Sequence, residues 1–149
     1  MHQNPYRPPD GERRAPRMEQ LDGEWLLWLF FSLQGRVNRR PFWLFTLFSV
    51  LVYSLPIYLM AIESGYAQQV ELAVIVLLLW PNIAVQAKRW HDIDWSGWWI
   101  LINLVPLVGP LFALAMNGFV RGTGGPNRFG EDPLGTATED EPGQRLMDR

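Results

Sequence analysis

The apolar positions of this chain are gathered into long uncharged stretches, and the charged positions lie between those stretches. From Pro41 to Ala87 the only Asp, Glu, Lys or Arg residues are Glu63 and Glu71, and residues 95–120 contain none. A helix in water must present a charged face to the solvent, whereas a helix in hydrocarbon cannot. This segregation predicts an all-α membrane protein.

Three apolar stretches predict transmembrane helices: Phe42–Ile62 and Trp98–Val120, which carry no charge, and Val70–Ala87, which carries only Glu71. The first would rise about 32 Å, which matches a hydrocarbon core of roughly 30 Å. The third is long enough for one crossing, and the alternative is a re-entrant hairpin broken at Gly109 and Pro110. The prolines inside these stretches predict kinks.

A shorter apolar stretch, Trp25–Leu33, would rise only about 14 Å and cannot span the bilayer. Two interpretations stay open: a helix lying in the membrane interface, or a helix packed on the others. The segments 1–20 and 134–149 are polar and predict disordered tails. The membrane domain is therefore expected over residues 21–133.

Basic residues predict the orientation, because they favour the cytoplasmic side of a membrane. With three crossings and a cytoplasmic N-terminus, nine basic residues lie inside and four outside. The loop from Glu63 to Gln69 is then external. With a re-entrant third segment, all thirteen lie inside.

Composition adds little to this picture, since 48% hydrophobic residues and a net charge of -2 would also suit a soluble domain. The absence of cysteine excludes disulfides, thiolate metal sites and cysteine nucleophiles. The chain has two histidines. Neither a metal site nor a cofactor is predicted.

Two charged clusters flank the predicted helices. The first holds Arg36, Arg39 and Arg40; the second, with the sequence KRWHD, holds Lys88, Arg89, His91 and Asp92. Arginines at this depth either contact anionic lipid headgroups or only fix the topology. Adjacent His91 and Asp92 suit neither a catalytic pair nor a metal site, so an enzyme is not expected. We expect Arg36, Arg39, Arg89 and Asp92 to form one cytoplasmic polar cluster, with the nearby tryptophans in an interfacial belt.

Three amide side chains lie inside the predicted helices, at Asn82, Gln86 and Asn103. An amide left unpaired in hydrocarbon is costly. We therefore predict that the two asparagines bond each other, Gln86, or the carbonyl of Leu77 that Pro81 leaves free.

The last motif, GTGGPNRFGEDP at residues 122–133, is rich in glycine but lacks the Gly-Lys-Ser/Thr ending of a phosphate loop. A tight surface turn is the expected structure.

Together these motifs resemble one family. GRVNRRPFW at 35–43, KRWHD at 88–92, SGWW at 96–99 and NRFGEDP at 127–133 are similar to the YhaH-type bacterial inner-membrane proteins, the domain of unknown function 805 family. The resemblance covers about residues 25–133; Trp90 stands where the family more often has leucine, and the tails have no counterpart. It implies a multi-pass helical protein of the bacterial inner membrane, with no established activity.

Function is therefore predicted only by class. The favoured hypothesis is a binding or assembly component that contacts the lipid bilayer, its anionic headgroups or a membrane-protein partner. The alternative is a small transporter or channel subunit, which would need a homo-oligomer because three short spans enclose too little. No nucleic-acid partner is expected.

Overall fold

Each apolar stretch of the sequence contains helix. The computed structural model describes residues 23–63 and 65–135, so the predicted tails lie outside it except for residues 134 and 135. The helices, in order, are α1 (Gly23–Phe31), α2 (Arg39–Ala61), α3 (Ala67–Asp92), a 3-10 helix (Gly97–Leu104) and α4 (Val108–Phe119). The predicted all-α membrane fold is confirmed.

Helices α2 and α3 are long and apolar enough to cross a bilayer. In the most apolar 18 residues of each helix, only 17% of α2 and 28% of α3 are buried. The core helix of a soluble protein would be mostly buried. Helix α2 begins three residues before the predicted span because the Asn38 side chain caps it, accepting the N–H of Arg40 at 3.1 Å. Both helices continue through their prolines, Pro56 and Pro81.

Helix α1 packs on the other helices. Trp25 and Leu29 are buried in a core that α2 and α3 complete. Its opposite face is apolar and open, with Leu27 and Phe31 exposed. Packing against the bundle is therefore established, and a position at the membrane interface stays a prediction.

The third predicted span is corrected, because residues 97–120 form two short helices instead of one. Val105, which precedes Pro106, is extended, as a residue before proline prefers. Leu107 has a φ of 63°, and the chain reverses there. A Cβ on Gly109 would lie 1.8 Å from the carbonyl oxygen of Ile102, so only glycine lets α4 start this close to the 3-10 helix.

Both ends of this hairpin lie at the same end of the bundle. The 3-10 helix begins where Gly97 packs on Ala87 of α3. Helix α4 ends where the carbonyls of Asn117 and Val120 accept hydrogen bonds from Arg89. The segment is thus a helical hairpin, with its break at 105–107 and not at Gly109 and Pro110, and its re-entrant position in a membrane stays a prediction. We call this end of the bundle, where α2 begins and α3 ends, the charged end.

Candidate functional site: a buried charge cluster and an exposed arginine patch

The centre of the charged end is the carboxylate of Asp92, at the last turn of α3. One oxygen lies 3.1 Å from Nη2 of Arg36, and the other lies 2.7 Å from Nη1 of Arg89. The three residues are at most 4% exposed. With Lys88, which is fully buried, they form what we call the buried charge cluster.

Main-chain carbonyls complete the coordination of Arg36. Its guanidinium donates to the carbonyls of Thr123 at 2.6 Å, Gly125 at 2.7 Å and Gly130 at 3.3 Å. All three belong to the segment 122–132, which we call the glycine-rich loop. A buried cation needs both charge and hydrogen-bond partners, and Arg36 has both.

The other two cations are held in the same manner. Arg89 donates from Nε to the carbonyl of Asn117 at 2.6 Å, and it also bonds the carbonyl of Val120. Lys88 donates to the carbonyl of Leu29 at 2.6 Å, at the end of α1, and lies 4.8 Å from the ring of Trp28. The cluster therefore fastens α1, α4 and the glycine-rich loop to α3.

The glycine-rich loop also caps the end of α3. Thr123 donates its N–H to the carbonyl of Asp92 at 2.8 Å, and Asn127 donates its side-chain amide to the carbonyl of His91 at 2.9 Å. The last carbonyls of a helix lack partners within it, and that of His91 also accepts the N–H of Asp94 at 3.0 Å. A Cβ on Gly122 would lie 2.1 Å from Oδ2 of Asp92, so this approach requires glycine.

Sequence reasoning missed this loop as part of the site. It predicted a surface turn, because nothing local shows that Arg36 binds its carbonyls. Asn127 is only 8% exposed, which is unusual for an asparagine in a turn. The signal available in the sequence was the group of glycines around Thr123, four residues before Asn127.

His91 lies between Gly35 and the glycine-rich loop. Its Nδ1 lies 3.1 Å from the carbonyl of Gly35, and its ring stacks on Phe129 with centroids 3.9 Å apart. Within residues 23–63 and 65–135, no group of three or more metal-ligating side chains is found.

The remaining predicted arginines stay outside the cluster. Arg39 and Arg40 are exposed on the first turn of α2, and Arg39 donates to the carbonyl of Phe119 at 3.3 Å. Arg121 is also exposed and follows that residue by two positions. We call these three residues the exposed arginine patch.

The amides only partly follow the expected pairing. Asn103 donates to Oε1 of Gln86 at 3.0 Å, which joins the 3-10 helix to α3. Asn82 instead donates at 2.9 Å to the carbonyl of Leu78, four residues back in its own helix. Asn103 thus meets Gln86, and Asn82 lies about one turn of α3 away from Gln86.

The predicted tryptophan belt also needs correction. Trp98 is 77% exposed, as an interfacial residue would be, but Trp90 is fully buried. The Trp90 ring stacks on Trp95, with ring centroids 5.6 Å apart, and on Phe112, with centroids 6.3 Å apart. Trp90 therefore anchors the hairpin to α3.

Comparison with known proteins assigns the chain to a family. The family model described as "Protein of unknown function (DUF805)" matches residues 30–131. The chain belongs to the DUF805 family. The matched residues run from the end of α1 to the glycine-rich loop. They include all four residues of the buried charge cluster.

Relatives of this DUF805 protein are found in Escherichia coli strain K12. Inner membrane protein YhaH is 32% identical over 109 residues, covering 70% of this chain and 88% of the relative. Inner membrane protein YhaI is 31% identical over 104 residues, covering 70% and 87%. No solved structure matches the chain. The predicted family is confirmed, and the protein is an inner-membrane protein of a family without known function.

Proposed function

We propose that this protein is a lipid-binding component of the inner membrane that holds anionic headgroups at the exposed arginine patch. The observation that carries the proposal is the division of the charged end into two kinds of cation. The buried charge cluster is satisfied by Asp92 and main-chain carbonyls. The patch is exposed, and within the described residues none of its members forms an ion pair.

The surroundings of the patch favour a headgroup as ligand. Trp43 donates its indole N–H to the carbonyl of Gly118 at 3.1 Å and packs edge-on against Phe119. Aromatic residues of this kind mark the level of lipid headgroups. Arginines there meet phosphate groups, which they bind by paired hydrogen bonds.

The proposal includes an orientation with the charged end in the cytoplasm. All lysines and arginines of the sequence lie before Pro41 or after Ala87. Because both ends of the hairpin lie at the charged end, the described segments that carry them meet at one end of the bundle. The positive-inside rule then favours that end as the cytoplasmic one.

Retention of lipid by the purified full-length chain tests the proposal. Native mass spectrometry would compare phosphatidylglycerol with phosphatidylethanolamine for the natural protein and for the triple variant Arg39→Gln, Arg40→Gln, Arg121→Gln. Each arginine near a charged surface contributes about 1 kcal/mol, so the preference for phosphatidylglycerol should fall up to about a hundredfold. The matched control is Arg128→Gln, an exposed arginine that pairs with Asp94 at 3.2 Å.

Loss of the preference in the triple variant alone supports the proposal. An unchanged preference for phosphatidylglycerol in that variant, or an equal loss in Arg128→Gln, would contradict it.

A further inference from the structure

A second site lies inside the bundle, between α2, α3, the 3-10 helix and α4. It is a cavity of about 270 Å³. Ser49 and Asn82 line it. Each stands ten residues from the charged end of its helix, which is about 15 Å at 1.5 Å per residue. The cavity therefore lies near the middle of the hydrocarbon layer.

The lining combines apolar rings with uncharged polar groups. Phe42 and Phe45 form part of the wall, and Ser49, Asn82, Gln86 and Asn103 supply hydroxyl and amide groups. No Asp, Glu, Lys, Arg or His lines the cavity in the described part of the chain. A charged ligand would find no counter-charge at this depth, so the lining selects a neutral one.

Several of these polar groups lack partners. Ser49 is 5% exposed, and within the described residues its hydroxyl makes no hydrogen bond. The amides of Asn82 and Asn103 donate to neighbouring oxygens, but their own oxygens accept no hydrogen bond there. Unpaired polar groups are costly in hydrocarbon, and a bound hydroxyl would supply the missing donor and acceptor.

The cavity opens sideways, towards the bilayer. Val50 and Tyr53 of α2 and Pro110 of α4 line it and are exposed. Its volume is below the range of about 300 to 1,000 Å³ for pockets that enclose whole drug-sized ligands. One end of a longer molecule fits inside, and the rest would extend into the lipid.

We propose that this cavity binds the hydroxyl end of an uncharged, lipid-soluble alcohol. The hydroxyl donates to an asparagine oxygen and accepts from Ser49 or from the amide nitrogen of Gln86. The hydrocarbon chain leaves past Val50 and Tyr53. This site is independent of the exposed arginine patch, and either proposal can fail without the other.

Photolabelling of the full-length chain in phosphatidylcholine nanodiscs tests the site. The probes are dodecanol carrying a diazirine and the matching diazirine hydrocarbon without the hydroxyl. The alcohol should label residues 46–53 or 110–114 saturably, with competition by unlabelled dodecanol, and the hydrocarbon should not saturate. Ser49→Ala should weaken the alcohol about fivefold, the value of one hydrogen bond of about 1 kcal/mol.

The matched control is Ser54→Ala, on the same helix, whose exposed hydroxyl already donates to the carbonyl of Leu51 at 2.6 Å. Dodecanol should raise the unfolding temperature of the natural chain and of this control, and should raise that of Ser49→Ala less. Equal labelling by both probes, or labelling by both that does not saturate, would overturn the proposal. The cavity would then hold water alone. Equal behaviour of Ser49→Ala and Ser54→Ala would also overturn it.

Discussion

Replacement of Asp92 by asparagine removes the one negative charge of the buried charge cluster while keeping the shape of the side chain. Arg36 and Arg89 would keep their carbonyl partners but lose the carboxylate that faces both of them at 3.1 and 2.7 Å. Breaking a buried ion pair on one side typically costs 3 to 5 kcal/mol, because the partner charge stays buried without compensation. Here one substitution leaves two such cations, but both keep their carbonyl partners, so we expect a loss of about 3 to 5 kcal/mol.

The sequence offers a matched control two residues away. Asp94 pairs with Arg128 at 3.2 Å, but their side chains are 46% and 54% exposed. An exposed pair contributes about 0 to 1 kcal/mol, since water screens it. Asp94→Asn should therefore change stability by less than about 1 kcal/mol, although it removes the same charge.

Unfolding in mixed micelles of dodecyl maltoside and SDS, followed by tryptophan fluorescence, measures both variants. Trypsin cleavage after Arg121 and Arg128 gives a second readout, because loss of the Arg36 contacts should release the glycine-rich loop. A free energy of unfolding for Asp92→Asn within about 1 kcal/mol of that for Asp94→Asn would refute the account of the cluster.

Two further experiments test the contact of Gly122 with Asp92 and the hydrogen bond between Asn103 and Gln86. Gly122→Ala should destabilise the loop and speed its cleavage, because a Cβ would collide with the Asp92 carboxylate, whereas Gly124→Ala, with open space around its Cβ, should not; equal cleavage rates would contradict this. Asn103→Leu and Gln86→Leu should each weaken packing modestly, and their double-mutant cycle should give a coupling of about 0.6 kcal/mol, the average for helix-to-helix hydrogen bonds in membranes. Strictly additive losses in unfolding free energy would show that the 3.0 Å contact contributes nothing.

The sequence predicted the features that depend on composition along one helix. Helices α2 and α3 follow from the scarcity of charge between Pro41 and Ala87, and the contact between Arg36 and Asp92 follows from their antiparallel arrangement. The sequence also predicts that Arg36, Arg89 and Asp92 cluster, but it could not predict that the cluster is buried, because its remaining partners are carbonyls of distant segments.

Other features depended on local backbone geometry that the pattern does not encode. The hairpin breaks at Leu107 with a positive φ, which an apolar leucine does not signal. Asn103 bonds Gln86, one of the partners that the sequence predicts, whereas Asn82 bonds the carbonyl of Leu78, which it does not predict. The burial of Trp90 depends on how the hairpin folds back on α3.

The re-entrant hairpin that gathers the charged segments at one end is tested most directly by labelling in spheroplasts. The chain has no cysteine, so Glu63→Cys, Ser96→Cys and Gly124→Cys each give one reactive site. With an impermeant maleimide, only Glu63→Cys should react in intact spheroplasts, and the other two should react after permeabilisation. Reaction of Ser96→Cys and Gly124→Cys from opposite sides would contradict the hairpin, and reaction of both from outside would contradict the proposed orientation.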